Sequence, residues 1–306
     1  MLDLSQLAKP AVIEALDFES ILADRKAYLV SLFEPSQQSA VAAALALESE
    51  PMAKLLEENT YRELLLRQRV NEACYATMLA YATGTDLDHV AARWEVERLT
   101  VQEGDPEAVP PVPTIMESDE RLRYRTQLAM EGLSVAGPRG AYEFHALSAS
   151  ARVLDAKVAG PDDLDSIPPG TVRIYLTSTD NANVPDTTLR ATVANYLSAD
   201  TRRPLGDTVQ VLPAEIIDYT VNATLTLYPG PSEGLVLETA RTDTEKLVAS
   251  LFKIGYDVNL SALFGKLSAP GVQRVALASP SADLVMGINQ AARCTSVTIT
   301  IGGRNV

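Results

Sequence analysis

Enzyme chemistry near neutral pH needs a titratable or nucleophilic side chain in company, and this chain supplies few candidates. Its two histidines, His89 and His145, fall in separate helical segments with no cysteine or second histidine at ligand spacing, so no zinc site is expected. Its two cysteines, Cys74 and Cys294, lie in no C-x-x-C and beside no basic cluster, so neither is expected to act as a thiolate nucleophile. No G-x-S-x-G, P-loop or G-x-G-x-x-G occurs. The stretches Gly137-Pro138-Arg139-Gly140 and Gly302-Gly303 do not follow a strand and open a helix, as phosphate binding requires. Asp86-Leu87-Asp88 and Asp162-Asp163-Leu164-Asp165 bring carboxylates close enough to hold a divalent cation. Both lack the alternating spacing, central Gly and terminal Glu of a calcium loop, so solvated cap and hairpin residues are the better account. The expectation is therefore no catalytic residue, no cofactor and no metal. A carboxylate pair for glycoside hydrolysis has no sequence signature, which keeps a cell-wall or polysaccharide hydrolase as the rival. That rival is poorly served by an aromatic content of 6% with one tryptophan, Trp94.

The bulk composition narrows the partners. At 306 residues and 32.9 kDa the chain can form one large or two ordinary domains. Twenty-six Lys and Arg face 40 Asp and Glu, a net charge of -14, which argues against a nucleic-acid surface and against adhesion to anionic lipid. No apolar run reaches the ~18 residues of a membrane span. Met1-Leu2-Asp3-Leu4 lacks the basic start and apolar core of a signal peptide, and two distant cysteines suit a reducing compartment, so folding in the cytoplasm is expected.

The elements that would position any working surface come in two styles. The first ~100 residues carry helical apolar spacing. A helix is predicted from Phe18 to Phe33 with Asp17 as N-cap, and a second after Ser36 with Val41, Ala44, Leu45 and Leu47 on one side. Pro51 starts a third and longest helix, to Ala82, with Ser49 or Glu50 as its cap. Its broad apolar face includes Met52, Leu55, Leu56, Leu66, Val70 and Cys74. Thirty residues of helix span about 45 Å, more than the width of a small domain, so part of that face needs cover. Two covers are open: an intramolecular hairpin with the first helices, or a bundle shared with another chain.

Gly84-Thr85-Asp86 is expected to end the long helix and cap a short one through Trp94. Pro106, Pro110, Pro111 and Pro113 then make 102–114 an extended linker, the clearest domain boundary. A helix opens at Glu117-Ser118-Asp119 and ends at Gly132, and another runs Ala141 to Ala149. After Ala151, strands alternate with helices. Strands are predicted at Val153–Val158, Val172–Leu176, Val209–Val211, Tyr219–Tyr228, Val272–Ala276 and Val297–Ile301. Helices are predicted at Pro185–Leu197, Leu237–Leu251 and Ser261–Lys266, with Pro229-Gly230-Pro231 as a break. The fold class is α+β: an N-terminal helical segment followed by two small modules, each a sheet with helices on one face.

The order of parts also carries a resemblance. Asp17-Phe18-Glu19, Leu47-Glu48-Ser49-Glu50-Pro51, Leu55-Leu56-Glu57-Glu58-Asn59, Tyr61-Arg62-Glu63-Leu64 and Arg67-Gln68-Arg69-Val70-Asn71-Glu72-Ala73 resemble the baseplate J-like proteins of contractile phage tails. So do Glu117-Ser118-Asp119, Tyr124-Arg125, Glu131-Gly132-Leu133-Ser134-Val135-Ala136-Gly137 and Gly140-Ala141-Tyr142, and later Leu227-Tyr228-Pro229-Gly230-Pro231 and Gly271-Val272-Gln273-Arg274-Val275. The similarity covers nearly the whole chain and is greatest to members from P2-like phages. It implies a baseplate wedge subunit, in a phage or a tail-like bacteriocin. Two copies would join a protein I-like partner, link neighbouring wedges into a ring around the central spike hub, and pass the trigger to a sheath begun by a W-like initiator. It supplies no individual functional residues. The domain expectation is 1–101 partner-binding bundle, 102–114 linker, 115–151 helical connector, 152–214 first module and 215–306 second module. A trimeric fibre adhesin is disfavoured by the long helices and the absence of repeats.

Overall fold

The computed structural model describes Leu4, residues 7–230 and residues 232–305. Met1-Leu2-Asp3 of the N-terminal reading and Pro231 of the Pro-Gly-Pro break lie outside them. The chain divides into two compact units, Met1–Glu97 and Arg98–Val306.

The first unit is helical. Helix α1, Phe18–Ser31, starts where Asp17 accepts a hydrogen bond from the Ser20 amide at 2.8 Å. It stops two residues before Phe33. Helix α2, Gln38–Leu45, buries Leu45 and leaves Leu47 outside it. Helix α3, Pro51–Ala76, does open on Pro51, with Glu50 at the N-cap position but no side-chain cap bond. Its end differs from the expected Ala82. The Thr77 hydroxyl donates to the Cys74 carbonyl at 2.9 Å, and the Met78, Tyr81 and Ala82 amides close tight turns instead of extending the ladder. Apolar spacing through Met78 and Leu79 continues across this turn, so periodicity alone overruns it. Gly84, expected to end the long helix and cap the next, lies beyond the end of α3 and does open α4, Gly84–Ala92, in the left-handed region at φ +54°.

Helix α1 packs along one side of α3. Arg25 on α1 ion-pairs with Glu63, while Arg67 reaches Glu63 at 2.6 Å and Glu14 at 2.8 Å. The Asn71 amide donates to the Glu14 carbonyl at 2.9 Å and accepts from the Glu14 amide at 3.2 Å. Hydrogen bonds from Arg67 and then Arg25 hold the Glu63 carboxyl below its ordinary range. These pairs are exposed, so they set register more than they stabilise.

The second unit begins with a hairpin where an extended linker was expected. Strand β1, Thr100–Gln102, pairs antiparallel with β2, Ile115–Met116, and Asp105 bridges to Val112. The prolines lie in the loop of that hairpin, where a missing backbone N–H costs no ladder bond. Helix α5, Asp119–Gly132, follows with Ser118 as its cap, and α6, Arg139–Ala149, comes after a turn at Gly137.

The first module adds β3, Val153–Ala159, β4, Thr171–Ser178, α7, Thr187–Leu197, and β5, Thr208–Pro213, in the sheet order β3-β4-β5. Strands β4 and β5 run parallel through the α7 crossover. Leu128, Tyr142, Leu147, Ile174, Leu176, Leu189 and Val193 form its core on the helical face. The other face is not solvated. Tyr175 and Ala159 pack there with Ile167 and Ala214, and with Ile254 and Ala291 from the second module. Helices do cover a single face of each sheet, as expected; the second module covers the other face of the first sheet, while the other face of the second sheet, with Thr220, Asn222, Thr298 and Thr300, is exposed.

The second module contains β6, Glu215–Leu227, α8, Glu233–Leu251, α9, Leu260–Leu267, β7, Val272–Ser279, and β8, Gln290–Arg304, in the order β7-β6-β8. The predicted alternation is realised. Val221, Ala223, Leu225 and Leu227 point at Val236, Ala240, Val248, Leu263 and Leu267 on the two helices. Strand β6 starts four residues before its predicted start and ends one residue before its predicted end, and β8 extends beyond both of its predicted ends, because each supplies the other's ladder over 13 registered pairs.

The α5 start is held by charge taken out of water. The Glu117 side chain is fully buried and ion-pairs with Arg125 and, at 3.3 Å, with Arg121. Glu117 also accepts from the Leu99 amide at 3.1 Å. Arg121 donates to the Ser150 carbonyl at 3.0 Å and to that of Ala151, and Arg98 ties Asp119 at 2.8 Å. One cluster therefore joins the hairpin, α5 and the α6–β3 link. Removing one partner of a buried pair leaves an uncompensated charge, which costs about 3–5 kcal/mol. Arg125→Ala should destabilise the chain by that amount in denaturant unfolding, whereas a loss below about 1 kcal/mol, the range of an exposed pair, would contradict the assignment.

Candidate assembly surface

The six candidate residues on α3 occupy two different settings. Met52, Leu55, Leu66 and Val70 are 39%, 61%, 69% and 57% exposed. At 3.6 residues per turn they fall within roughly 60° of one another around the helix, a single stripe. Ala53 and Thr60, the buried residues of α3, lie on a line about 120° away. Leu56 and Cys74 fall between the two and are half-buried. The intramolecular hairpin and the uncovered face thus coexist: α1 covers one side of α3, and the stripe is left to solvent. Tyr28 on α1 and Leu32 at its C-cap, with Tyr61 and Leu65 on the other flank of α3, are further exposed apolar side chains. The first two were legible as apolar helix positions without a reason to be outside.

The residues that could carry chemistry are placed structurally. His145 is buried beside Phe144 and Tyr196, with Nε2 3.1 Å from the Gly132 carbonyl. Burial, then the Arg202 charge, push its pKa down. His89 is exposed in the last turn of α4. Asp163 accepts from the Gly160 amide at 2.7 Å and pairs with Arg139 at 2.9 Å, the turn role expected of that acidic run. Among the described residues no group of three or more His, Cys, Asp or Glu could hold a metal ion, and no helix is long and apolar enough to cross a membrane.

Asp155 on β3 is the half-buried acid that sequence patterning missed, because its neighbours Leu154 and Ala156 made it look like an alternating solvent position. Its Oδ2 accepts from the Ile254 amide at 2.8 Å, bonding the first module to the second. Burial dominates and pushes its carboxyl up, against hydrogen bonds from the Ile254 and Ala156 amides and the charges of Lys253 and Lys157. A second link is the Arg293 fork, which holds Asp218 at 2.7 and 2.9 Å and donates to the Ala182 carbonyl at 2.6 Å.

The chain is thus an α+β protein whose longest helix carries an uncovered apolar stripe. Three domain models of the baseplate J-like proteins match the chain in order: the N-terminal domain over residues 48–105, the central domain over 134–213 and the C-terminal domain over 219–300. Baseplate protein J of Escherichia phage P2 is 48% identical over 303 residues, 99% of this chain and 98% of that protein. The chain belongs to the baseplate J-like protein family. A chain in the cryo-EM structure of the anti-feeding prophage baseplate overlaps 60% of this chain and 44% of its own length, at 16% identity and a TM-score of 0.40. That likeness is too slight to carry an argument.

Exposed side chains away from special features change stability by no more than about 0.5 kcal/mol. Leu55→Ser and Leu66→Ser should each stay within that range in the isolated chain, while Leu22→Ala, buried on α1, costs about 2–5 kcal/mol; a large loss at Leu66 would place it in the fold instead. For Asp155, a folded pKa above the unfolded one means the native state holds the extra proton. Stability therefore falls as pH rises through the ordinary Asp value of 3.8 and is flat above the raised one. Asp155→Asn should be more stable than the parent at pH 7, with the gap closing below about pH 4. A difference independent of pH would contradict this.

Proposed function

We propose that this chain is a structural wedge subunit of the baseplate in a contractile phage tail or tail-like bacteriocin, working by assembly without catalysis. Family membership and the name of the phage P2 relative support a structural baseplate subunit. The observation that carries the finer reading is the uncovered stripe of Met52, Leu55, Leu66 and Val70. A stripe of that width on a long helix is the shape that a helical partner fills. On this reading residues 1–101 form a bundle with a protein I-like wedge subunit and a second copy of the chain, and 102–114 follow them in sequence. The connector at 115–151 and the modules at 152–214 and 215–306 face neighbouring wedges, the central spike hub and a W-like sheath initiator. Assembly takes place in the bacterial cytoplasm, and the subunit leaves in the finished particle.

Moderately polar contacts between wedges suit a ring that must open on triggering, since a bistable interface needs two arrangements of similar energy. Head-to-tail contacts close into such a ring when the rotation between copies permits. Replacing Leu56 and Val70 together by Asp puts one charge on the stripe, at Val70, and one on the half-buried flank beside it, at Leu56. The double variant should lose co-purification with the I-like partner while the C-terminal sheets keep their far-ultraviolet signature. Retained complex formation would contradict the proposal.

A further inference from the structure

Among the described residues four non-glycine residues have positive φ, and three of them are consecutive: Asn181, Ala182 and Asn183, at +50°, +54° and +68°. L-residues visit the left-handed region singly, because Cβ crowds the following carbonyl oxygen. A run of three persists only where its surroundings hold it. The two asparagines are suited to the region and bring bonds of their own. Asn181 Nδ2 donates to the Val184 carbonyl at 3.0 Å, and Asn183 Nδ2 donates to the Ser178 carbonyl at 2.9 Å. Ala182, at the centre, has no such side chain. Its carbonyl accepts instead from Arg293 at 2.6 Å.

The grip on this turn comes from both modules. Its ends belong to the first. Arg152 holds Asp180 at 2.8 Å and Asp186 at 2.6 Å, and the Ser178 hydroxyl donates to the Asp180 carbonyl at 2.7 Å. Its centre belongs to the second, since Arg293 stands on β8 and is itself fixed by both carboxylate oxygens of Asp218 on β6. Ala182 can therefore invert while the ends stay pinned. The opposing effects are of similar size. Left-handed backbone disfavours an alanine by roughly 5- to 30-fold in population. A hydrogen bond from a charged donor favours the held state by roughly 10- to 150-fold.

We infer that the turn at 180–184 is a two-state clasp between the modules, left-handed while Arg293 is seated on the Ala182 carbonyl and relaxing to the right-handed region when Arg293 withdraws. Opening is local, because the apolar contact of Tyr175 and Ala214 with Ile254 and Ala291 holds the modules together without it. Asn181, Ala182 and Val184 are exposed, and the Arg293–Asp218 pair is partly so, which leaves the clasp within reach of a neighbouring protein. Such a neighbour shifts the clasp only by binding one of its two states more tightly. The inference does not rest on the assembly reading, because both states belong to the isolated chain.

The test is hydrogen exchange of the full chain, read on the peptide spanning 178–186, with 221–227 of β6 as the internal reference. In the held turn the Asn183 amide donates to the Asp180 carbonyl at 2.9 Å and the Val184 amide to that of Asn181 at 3.1 Å. Arg293→Gln should speed exchange of these two amides roughly tenfold and leave the reference unchanged. Glycine takes positive φ without penalty, so adding Ala182→Gly should remove most of that gain. Ala182→Val, which leaves Arg293 in place, should open the clasp by itself, since a β-branched residue is a true outlier at positive φ. Unchanged exchange in Arg293→Gln would overturn the inference, as would a gain that Ala182→Gly leaves intact. If Arg293→Gln disturbs the reference strand, Ala182→Val decides: exchange at 183 and 184 as slow as in the parent overturns the clasp, and a local rise supports it.

Discussion

The constraint on which the first unit turns is a mismatch of helix lengths. At 1.5 Å per residue α3 is about 39 Å long and α1 about 21 Å, and one helix can cover only one side of another. Glu63, Arg67 and Asn71 fix which side is covered, through Arg25 and Glu14. The apolar perimeter of α3 is wider than that side. Burying a Leu-sized side chain stabilises by about 1.5–3 kcal/mol. With the four stripe residues between 39% and 69% exposed, covering them would recover on the order of 3–6 kcal/mol before the cost of association. On the proposed reading, a partner helix supplies that cover.

The second unit solves the opposite problem, holding two small sheets as a frame. Neither sheet has more than three strands, too few to curl around a core of its own. The first is closed by helices on one face and by Ile254 and Ala291 of the second module on the other. The buried Glu117–Arg125 pair, the Asp155 bond to Ile254 and the Arg293 fork then fix angles that apolar packing alone leaves loose. Placing charge inside gives up some stability for a defined geometry, a trade suited to a part whose outer surfaces must register with neighbours.

Much of this was legible in the sequence where the signal is local. Asp17 caps α1, Pro51 opens α3, Ser118 and Gly132 bracket α5, and alternation from Val221 to Leu227 marks the buried face of β6. What was hidden depends on contacts distant in sequence. The prolines of 102–114 read as an extended linker because the pairing of Thr100 with Met116 that turns them into a hairpin leaves no local trace. Nothing local marks Glu117, Arg121 and Arg125 as buried, because burial of a charge is decided by its partner. For the candidate surface, apolar spacing found the stripe on α3, but a helical wheel has no zero angle. Only the position of α1 separates the half-buried Leu56 and Cys74 from the exposed Met52, Leu55, Leu66 and Val70.

The central claim is that the α3 stripe is exposed in the free chain and covered in the assembled baseplate. Hydroxyl-radical footprinting of the isolated chain and of the intact particle measures this side chain by side chain, with exposed Leu205 and buried Leu225 as internal references. The account predicts that Met52, Leu55, Leu66 and Val70 are oxidised readily in the free chain and protected in the particle. Equal oxidation of the stripe in both would contradict it.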